Sequence, residues 1–280
     1  MSAQLGIGVS SNYLSGLFTL VWRSAARLVR RPSHSRRAEA ARRLARHSLW
    51  TTAIVGVVII ALMYGLDARE IALMPPRGTG GLWLVRILTD FGKETYVLWL
   101  LAGMLLVVAI VAPGLHGSSQ PRLLNFGTRL QYLLFAVLVP VLAGELTKWI
   151  AGRGRPFVGG KANAFNFVPF NGSEAYASFP SAHAITSVAL AFAVTAVWPR
   201  TRPVMVLYAL LIVTSRLVLL AHHPSDVVAG ALIGVIGAMA VRYWFAARRL
   251  GFTIDRDGEI VPLPSTRGQL KRVAGRPSAP

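Results

Sequence analysis

Residues 95–113 read TYVLWLLAGMLLVVAIVAP, a stretch that contains no charged side chain. An α-helix needs about 20 apolar residues to cross the hydrocarbon core of a bilayer, and this stretch is close to that length. Several other stretches of the chain have the same character. The six predicted spans are 49–66, 95–113, 129–151, 183–198, 203–221 and 227–246. The sequence therefore predicts an all-α integral membrane bundle of six transmembrane helices.

The overall composition agrees with a membrane protein. Of the 280 residues, 54% are hydrophobic and 15% are charged, whereas a soluble domain carries about a quarter charged residues. The chain contains no cysteine, which excludes disulfides, thiolate metal sites and a cysteine nucleophile. The net charge of +19 is compatible with nucleic-acid binding. The arginines, however, lie beside apolar spans, as in the cytoplasmic loops of membrane proteins, so we expect no nucleic-acid partner.

The pattern divides the chain into three parts. Residues 1–47 are a basic N-terminal segment in which apolar residues such as Leu14 and Trp22 recur at helical spacing among arginines. This spacing predicts an amphipathic helix on an anionic membrane surface, with a disordered basic tail as the alternative. Residues 48–246 are the transmembrane domain. Residues 247–280 are polar, basic and contain prolines, and we expect them to form a flexible tail.

The distribution of basic residues predicts the topology, because cytoplasmic segments are enriched in lysine and arginine. The basic N-terminal segment is expected in the cytoplasm, and six spans return the C-terminus to the same side. The segments 67–94, 152–182 and 221–227 then lie outside, the first with a short interfacial helix around 82–91. The segment 152–182 carries basic residues against this rule, which calls for a functional reason.

Polar side chains gather at the outer ends of the predicted spans. They are Lys148, Arg155, Ser181, His183, Arg216, His222 and Asp226. Ionisable residues at membrane depth are costly, so each is a functional candidate. The three cations suit an anion, because arginine holds phosphate oxygens bidentately and lysine adds a point charge. Ser181 is a predicted N-cap, and the free N–H groups of a helix start also bind phosphate.

Two histidines supply the chemistry that phosphoryl transfer requires. One can attack phosphorus while the other protonates the leaving oxygen. Asp226 follows His222 by four residues, and a carboxylate at this distance is expected to accept the ring N–H and fix the tautomer. His183 then remains as the general acid. His223 lies three residues before Asp226, so spacing alone leaves it as a rival nucleophile.

The same residues fall into three motifs. They read Lys148-WIAGRG-Arg155-Pro156, Pro180-Ser181-Ala182-His183 and Ser215-Arg216-LVLLA-His222-HPS-Asp226. They resemble the type 2 phosphatidic acid phosphatase (PAP2) family, which shows the patterns KxxxxxxRP, PSGH and SRxxxxxHxxxD in this order. The one departure is Ala182, where the family usually has glycine. The family uses that position through its backbone N–H, which alanine keeps.

The resemblance implies a role for each matched residue. The residues that would hold phosphate are Lys148, Arg155, Ser181, Ala182 through its backbone, and Arg216. His222 would form a phosphohistidine, His183 would protonate the leaving group, and Asp226 would orient His222. The resemblance thus implies a bacterial lipid phosphatase, which we expect in the inner (cytoplasmic) membrane. The predicted topology puts its active site on the extracytoplasmic face. We expect no cofactor and no metal, because the acidic residues are scattered rather than clustered as magnesium sites require.

Several alternatives stay open at this point. The candidate substrates are undecaprenyl diphosphate, lipid A phosphate, phosphatidylglycerol phosphate and phosphatidic acid, and an outward-facing site favours the first two. A phosphotransferase acting on another lipid or sugar, or a catalytically weak lipid-binding protein, is the alternative function. The sequence indicates contact with membrane lipids and names no protein partner. Glu145 is expected to have a structural role, and Gly230 and Gly234 predict close helix packing.

Overall fold

The computed structural model describes residues 7–74, 80–156, 158 and 163–263, with side chains from residue 13 onward. The helices of the described chain are α1 (Ile7–Val29), α2 (Arg37–Gly65), α3 (Asp67–Leu73), α4 (Trp83–Asp90), α5 (Glu94–Val111), α6 (Ser119–Ala151), α7 (Ala182–Val197), α8 (Arg202–Val218) and α9 (Pro224–Ala247). Two short antiparallel strands follow, β1 (Phe252–Ile254) and β2 (Ile260–Pro262). The predicted all-α class is confirmed, and α4 lies where an interfacial helix was expected.

The helices of the described chain include five stretches long and apolar enough to cross a membrane. These stretches are Arg37–Gly65, Gly80–Gly114, Ser119–Ala151, Pro199–Val218 and Pro224–Ala247. The predicted span 183–198 corresponds to α7, which has 16 residues. At 1.5 Å per residue such a helix is about 24 Å long, somewhat less than the ~30 Å hydrocarbon core. The membrane bundle is confirmed, while a full crossing by α7 stays a prediction.

Close packing of α7 against α9 brings the two histidine-bearing segments together. A Cβ atom at Gly230 would lie 2.5 Å from the carbonyl oxygen of Ser181, and one at Gly234 would lie 2.7 Å from that of Ile185. Contacts this short exclude a larger side chain, so the predicted role of the two glycines is confirmed. The first turn of α7 therefore lies directly against the first turns of α9.

Helix α1 lies at the end of the bundle opposite the start of α9. The N–H of Ser33, in the turn after α1, donates to the carbonyl oxygen of Ala247 at 2.9 Å, at the last residue of α9. The apolar side chains of Leu14, Phe18 and Trp22 are 61%, 70% and 66% exposed. An exposed apolar stripe beside basic residues is the amphipathic pattern that the sequence predicts.

The first long helix begins well before the predicted span. Helix α2 starts at Arg37 rather than near residue 49, so the expected boundary between residues 47 and 48 falls inside one continuous helix. Its basic first turns have a partner, because Arg43 donates to Glu259 Oε1 at 2.9 Å and to the carbonyl oxygen of Asp257 at 2.6 Å. The basic segment is thus attached to the C-terminal hairpin.

The expectation of a flexible tail is wrong for the residues that immediately follow α9. Strands β1 and β2 pair antiparallel, and Phe252 and Ile254 are each only 2% exposed. The ring of Phe252 packs edge-on against Tyr132 of α6, with 4.7 Å between the centroids. Burial of these apolar side chains supplies the free energy that orders the hairpin. Residues 264–280, the rest of the expected tail, lie outside the described residues.

Candidate active site

The turn after α6 positions the first group of site residues. Gly152 has a φ of +54°, and a Cβ there would lie 1.8 Å from the carbonyl oxygen of Val168, so only glycine fits. Its N–H donates to the carbonyl oxygen of Lys148 at 2.9 Å, which ends the helix in a left-handed cap. Lys148 therefore lies in the last helical turn, while Arg153 and Arg155 follow on an extended segment.

The N-terminus of α7 forms the second part of the site. Ser181 is the N-cap residue, with an extended backbone, and its N–H donates to the carbonyl oxygen of Asp226 at 3.0 Å. The next backbone N–H groups, starting at Ala182, belong to the first helical turn, where no intrahelical acceptor exists. Ser181 Oγ and His183 Nε2 are buried and have no hydrogen-bond partner among the described residues. These donors suit an anion bound at the helix start.

Two predicted phosphate ligands are held by exposed carboxylates. Lys148 Nζ lies 2.5 Å from Glu145 Oε1, and Arg155 donates to Glu174 Oε2 at 2.9 Å. The side chain of Glu145 is 51% exposed and that of Glu174 is 93% exposed. Ion pairs with exposed carboxylates contribute little free energy, so a phosphate can replace these partners. Glu145 thus pairs with Lys148, as expected of a structural residue.

The third predicted cation is fixed by a residue of the interfacial helix. Arg216 is only 8% exposed, and one of its guanidinium N–H groups donates to Thr89 Oγ1 of α4 at 2.9 Å. The hydroxyl of Ser215 also lies 3.0 Å from Thr89 Oγ1. The charges of Arg216, Lys148, Arg155 and Lys93 all act on His183. The three predicted cations and Lys93, just before α5, are thus within electrostatic reach of this histidine.

His222 is buried in the turn that precedes α9. Its Nδ1 atom lies 2.7 Å from the carbonyl oxygen of Ser178. Because a carbonyl only accepts hydrogen bonds, Nδ1 must carry the proton, and Nε2 then bears a free lone pair. Burial lowers the pKa of His222 well below its usual range, and the charges of Arg216 and Arg155 lower it further. A neutral imidazole with a lone pair on Nε2 is competent as a nucleophile.

The predicted direct contact between Asp226 and the ring of His222 is replaced by an indirect one. The carboxylate of Asp226 accepts from Ser178 Oγ at 2.6 Å, from Arg153 at 2.5 Å and from the backbone N–H of His223 at 2.9 Å. Ser178 in turn holds His222 through its carbonyl oxygen. The physical reason is competition, because the buried guanidinium and hydroxyl are the nearer donors to the carboxylate. Asp226 thus acts on His222 indirectly, through Ser178.

His222 and His223 have different surroundings in the structure. His223 is fully buried, and the charged groups that act on its ring are Asp226, Arg153 and Asp67. Burial lowers the pKa of His223, while the two carboxylates act in the opposite direction. The ring of His222 instead interacts with the cations of the anion site. The two rings thus have different charged neighbours, and His222 as the nucleophile stays a prediction.

Residues 129–250 match the PAP2 superfamily. This range contains every site residue that the sequence predicted. The resemblance predicted from the three motifs is confirmed over these residues, here called the PAP2 region. It runs from the middle of α6 to the residues just after α9, so α1 to α5 lie outside it.

Curated relatives match part of the chain. The lipid A 1-phosphatase of Rhizobium johnstonii is 35% identical over 127 residues, which are 45% of this chain and 52% of the relative. That of Rhizobium etli is 34% identical over 127 residues, 45% and 55% of the two chains. The bacitracin transport permease protein BcrC of Bacillus licheniformis is 28% identical over 170 residues, 58% and 79%. The chain thus spans about half the length of the Rhizobium relatives. No solved structure matches significantly.

Sequence reasoning missed several residues that support the PAP2 region. They are Asp67, Thr89, Arg153, Ser178 and Ser225, all buried in the structure. Asp67 and Thr89 lie outside the PAP2 region, and no local spacing connects them to it. Arg153 did carry a signal, since it belongs to the basic cluster on the unexpected side. Asp67 also carried a signal, because it is one of only 11 acidic residues and directly follows an apolar span.

No group of three or more histidine, cysteine, aspartate or glutamate side chains that could hold a metal ion occurs in the described ranges. The two buried aspartates behind the site, Asp67 and Asp226, already bind Arg153 at 2.8 and 2.5 Å. A guanidinium between two carboxylates occupies the position that a divalent cation would need. Activity without a metal stays a prediction.

Glu70 provides a pH-dependent prediction about stability. It is 3% exposed, and burial raises its pKa to about 8, helped by the charges of Asp67 and Asp226. Arg153 and His223 are the other ionisable groups around these carboxylates. Between pH 4.5 and 8 the folded protein holds this proton while the unfolded chain does not, so stability falls as pH rises through that window.

Glu70→Gln is therefore expected to raise the melting temperature by about 5–10 °C at pH 8. At pH 5 the wild-type side chain is neutral in the folded state, and the two proteins should melt within about 2 °C of each other. Differential scanning fluorimetry of the purified proteins in detergent at both pH values measures this. Equal melting temperatures at pH 8 would show that Glu70 is ionised in the folded protein at no cost.

Proposed function

We propose that this protein is an integral membrane lipid phosphatase that works through a phosphohistidine on His222. The observation that carries the proposal is the neutral, Nδ1-protonated ring of His222 beside a cluster of cations. A nucleophile next to Arg155 and Arg216 is the arrangement that phosphoryl transfer requires, because the cations neutralise charge on the phosphoryl oxygens. The PAP2 region supports the same chemistry.

The reaction has two steps. In the first step Nε2 of His222 attacks phosphorus, the bond between phosphorus and the lipid oxygen breaks, and His183 donates its proton to that oxygen. The negative phosphate itself favours the protonated form of His183 when substrate is bound. In the second step His183 takes a proton from water, the water oxygen attacks phosphorus, and the bond to Nε2 breaks. The products are inorganic phosphate and a dephosphorylated lipid.

The remaining predicted residues hold the phosphoryl group. Lys148, Arg155 and Arg216 supply positive charge, and Ser181 supplies a hydroxyl with no other partner among the described residues. The backbone N–H of Ala182 opens α7 and points along the helix dipole, which favours an anion. These groups also bind the transition state more tightly than the ground state, because charge builds up on the equatorial oxygens.

An apolar cavity supports a lipid as the substrate. It has a volume of about 470 Å³ and is lined by side chains such as Leu88, Leu101, Leu190 and Ile212. Leu88 is adjacent in sequence to Thr89, which binds Arg216. An acyl or prenyl chain can therefore lie in this cavity while its phosphate reaches the cations. We propose that the site opens on the extracytoplasmic side of a bacterial inner membrane, based on the arginine distribution.

Two relatives bear the name lipid A 1-phosphatase, and these names support lipid A phosphate as the first candidate substrate. Undecaprenyl diphosphate follows, because an outward-facing site has access to it. Phosphatidylglycerol phosphate and phosphatidic acid complete the set. We propose hydrolysis, with transfer to a second lipid or sugar as the alternative.

The test is phosphate release by the purified, detergent-solubilised protein from these four lipids in the presence of EDTA. We expect turnover of at least one lipid, undiminished by the chelator, because no step uses a metal. A parallel reaction with an added alcohol acceptor distinguishes hydrolysis from transfer by its product. Loss of activity in EDTA contradicts the metal-free mechanism. Tight binding of all four lipids without turnover contradicts the enzyme and favours a lipid-binding protein.

A further inference from the structure

A buried ion cluster lies behind the catalytic histidine. We define it as five fully buried residues, Asp67, Arg153, Ser178, Ser225 and Asp226. The side chain of Arg153 lies between the two carboxylates, with Asp67 Oδ2 at 2.8 Å and Asp226 Oδ1 at 2.5 Å. The carbonyl oxygen of Ala164 also accepts from Arg153, at 3.0 Å from Nε and 2.7 Å from a terminal nitrogen. The polar atoms of the guanidinium are thus well satisfied.

Asp67 fixes the first turn of α9. Its carboxylate accepts from the backbone N–H of Ser225 at 3.1 Å and from Ser225 Oγ at 2.5 Å. The same hydroxyl accepts from Arg153 at 2.6 Å. Since His222 lies in the turn that leads into α9, these bonds tie the position of that turn to α3, outside the PAP2 region.

Asp226 continues the connection towards the nucleophile. Its Oδ2 atom accepts from Ser178 Oγ at 2.6 Å and from the backbone N–H of His223 at 2.9 Å. The carbonyl oxygen of Ser178 then accepts the proton of His222 Nδ1 at 2.7 Å. A continuous chain of hydrogen bonds therefore runs from Asp67 through Arg153, Asp226 and Ser178 to the ring.

The burial of the cluster limits what it can do. Asp67, Arg153 and Asp226 have no exposed surface, so none of them can touch a phosphate at the site. Buried ions carry a large desolvation cost, and replacing them with apolar residues is often neutral or stabilising. A fully satisfied polar network, in contrast, holds its members in one geometry. The cluster therefore suits a role in setting the geometry of His222.

We propose that Asp67 and Arg153 are positioning residues for His222. They hold Asp226 and Ser225 in place, and through Ser178 they keep the nucleophile in its Nδ1-protonated form. The consequence for catalysis rests on the proposed function, while the consequence for the tautomer does not. Asp67 lies in α3, so a helix outside the PAP2 region helps to position His222, which lies inside that region.

Asp67→Asn is the first test. The variant removes one of two buried carboxylates and leaves Arg153 paired with Asp226, so the charge of Arg153 keeps a buried partner. We expect kcat for dioctanoyl phosphatidic acid to fall about 10- to 100-fold, with KM within about twofold, because the nucleophile is misplaced while the phosphate ligands are intact. Nitrogen-15 NMR of labelled histidine should show a mixture of His222 tautomers in place of the Nδ1–H form.

Ser178→Ala gives a second and smaller change, which decides the matter if Asp67→Asn does not fold. It removes the hydroxyl that reaches Asp226 but keeps the carbonyl that reaches His222, and we expect the same direction of change in kcat and tautomer. Glu70→Gln is the matched control on α3, and at pH 7 it should leave both readouts unchanged, since Glu70 is protonated there. Wild-type kcat with an unchanged Nδ1–H tautomer in the folded variants overturns the proposal.

The two readouts keep this proposal distinct from the proposed function. If the wild-type protein hydrolyses none of the four lipids, the function fails, while the NMR comparison still decides whether Asp67 and Ser178 control the tautomer of His222. If the wild type is active and the variants differ in kcat but not in tautomer or KM, the hydrogen-bond route through Ser178 is refuted.

Discussion

His222→Ala is expected to reduce phosphate release by about 10⁴-fold or more, since removal of the nucleophile leaves only the binding groups. The lone pair on Nε2, set by the bond from Nδ1 to Ser178 at 2.7 Å, has no substitute at this position. Binding of the lipid should persist, because Lys148, Arg155 and Arg216 are unchanged. The measurement is the initial rate of phosphate release in EDTA, together with lipid binding by the same preparation.

His223→Ala is the matched control, one residue away and also buried. Its ring interacts with Asp226, Arg153 and Asp67 rather than with the cations of the site. We expect a lower melting temperature from the cavity but activity within about tenfold of the wild type. An inactive His223→Ala protein beside an active His222→Ala protein would reverse the assignment of the nucleophile.

His183→Asn is expected to lower kcat by about 10²- to 10⁴-fold for a lipid phosphate, because an alkoxide is a poor leaving group without a proton donor. His183 lies in the first turn of α7 and has a buried Nε2 atom with no hydrogen-bond partner among the described residues. The charges of four cations act on it, as expected of a residue beside an anion site. The measurement is kcat on the preferred lipid of the panel.

A substrate with a good leaving group provides the control for this assignment. p-Nitrophenyl phosphate releases a phenolate that needs little protonation, so His183→Asn should retain far more of its activity on this substrate than on the lipid. An equal loss on both substrates would mean that His183 positions the phosphate and is not the general acid.

The sequence was informative where chemistry and spacing coincide. The apolar stretches predicted an all-α membrane bundle, which the structure confirms, and the three motifs predicted the PAP2 resemblance. The glycines of α9 also predicted close helix packing correctly, because a Cβ at Gly230 would lie 2.5 Å from the carbonyl oxygen of Ser181 at the start of α7. Each of these signals is local, so a single sequence is enough to detect it.

Contacts between distant segments were not predictable in the same way. Asp67 reaches Arg153 across 86 positions of sequence and Ser225 across 158, and no periodicity connects them. The expected contact of Asp226 with His222 followed from a separation of four residues, but a buried guanidinium from another segment takes that carboxylate instead. The ordered hairpin after α9 was missed because its stability comes from burial of Phe252 against α6, which composition does not show.

His222 is expected to become phosphorylated during turnover. The most direct measurement uses the preferred lipid of the panel with a labelled phosphate. The reaction is quenched in alkaline detergent after milliseconds, and the peptides are analysed by mass spectrometry. We expect label on the peptide that contains His222, at Nε2, and no label in His222→Ala. Label on another residue, or rapid phosphate release with no labelled protein at any time, would contradict it.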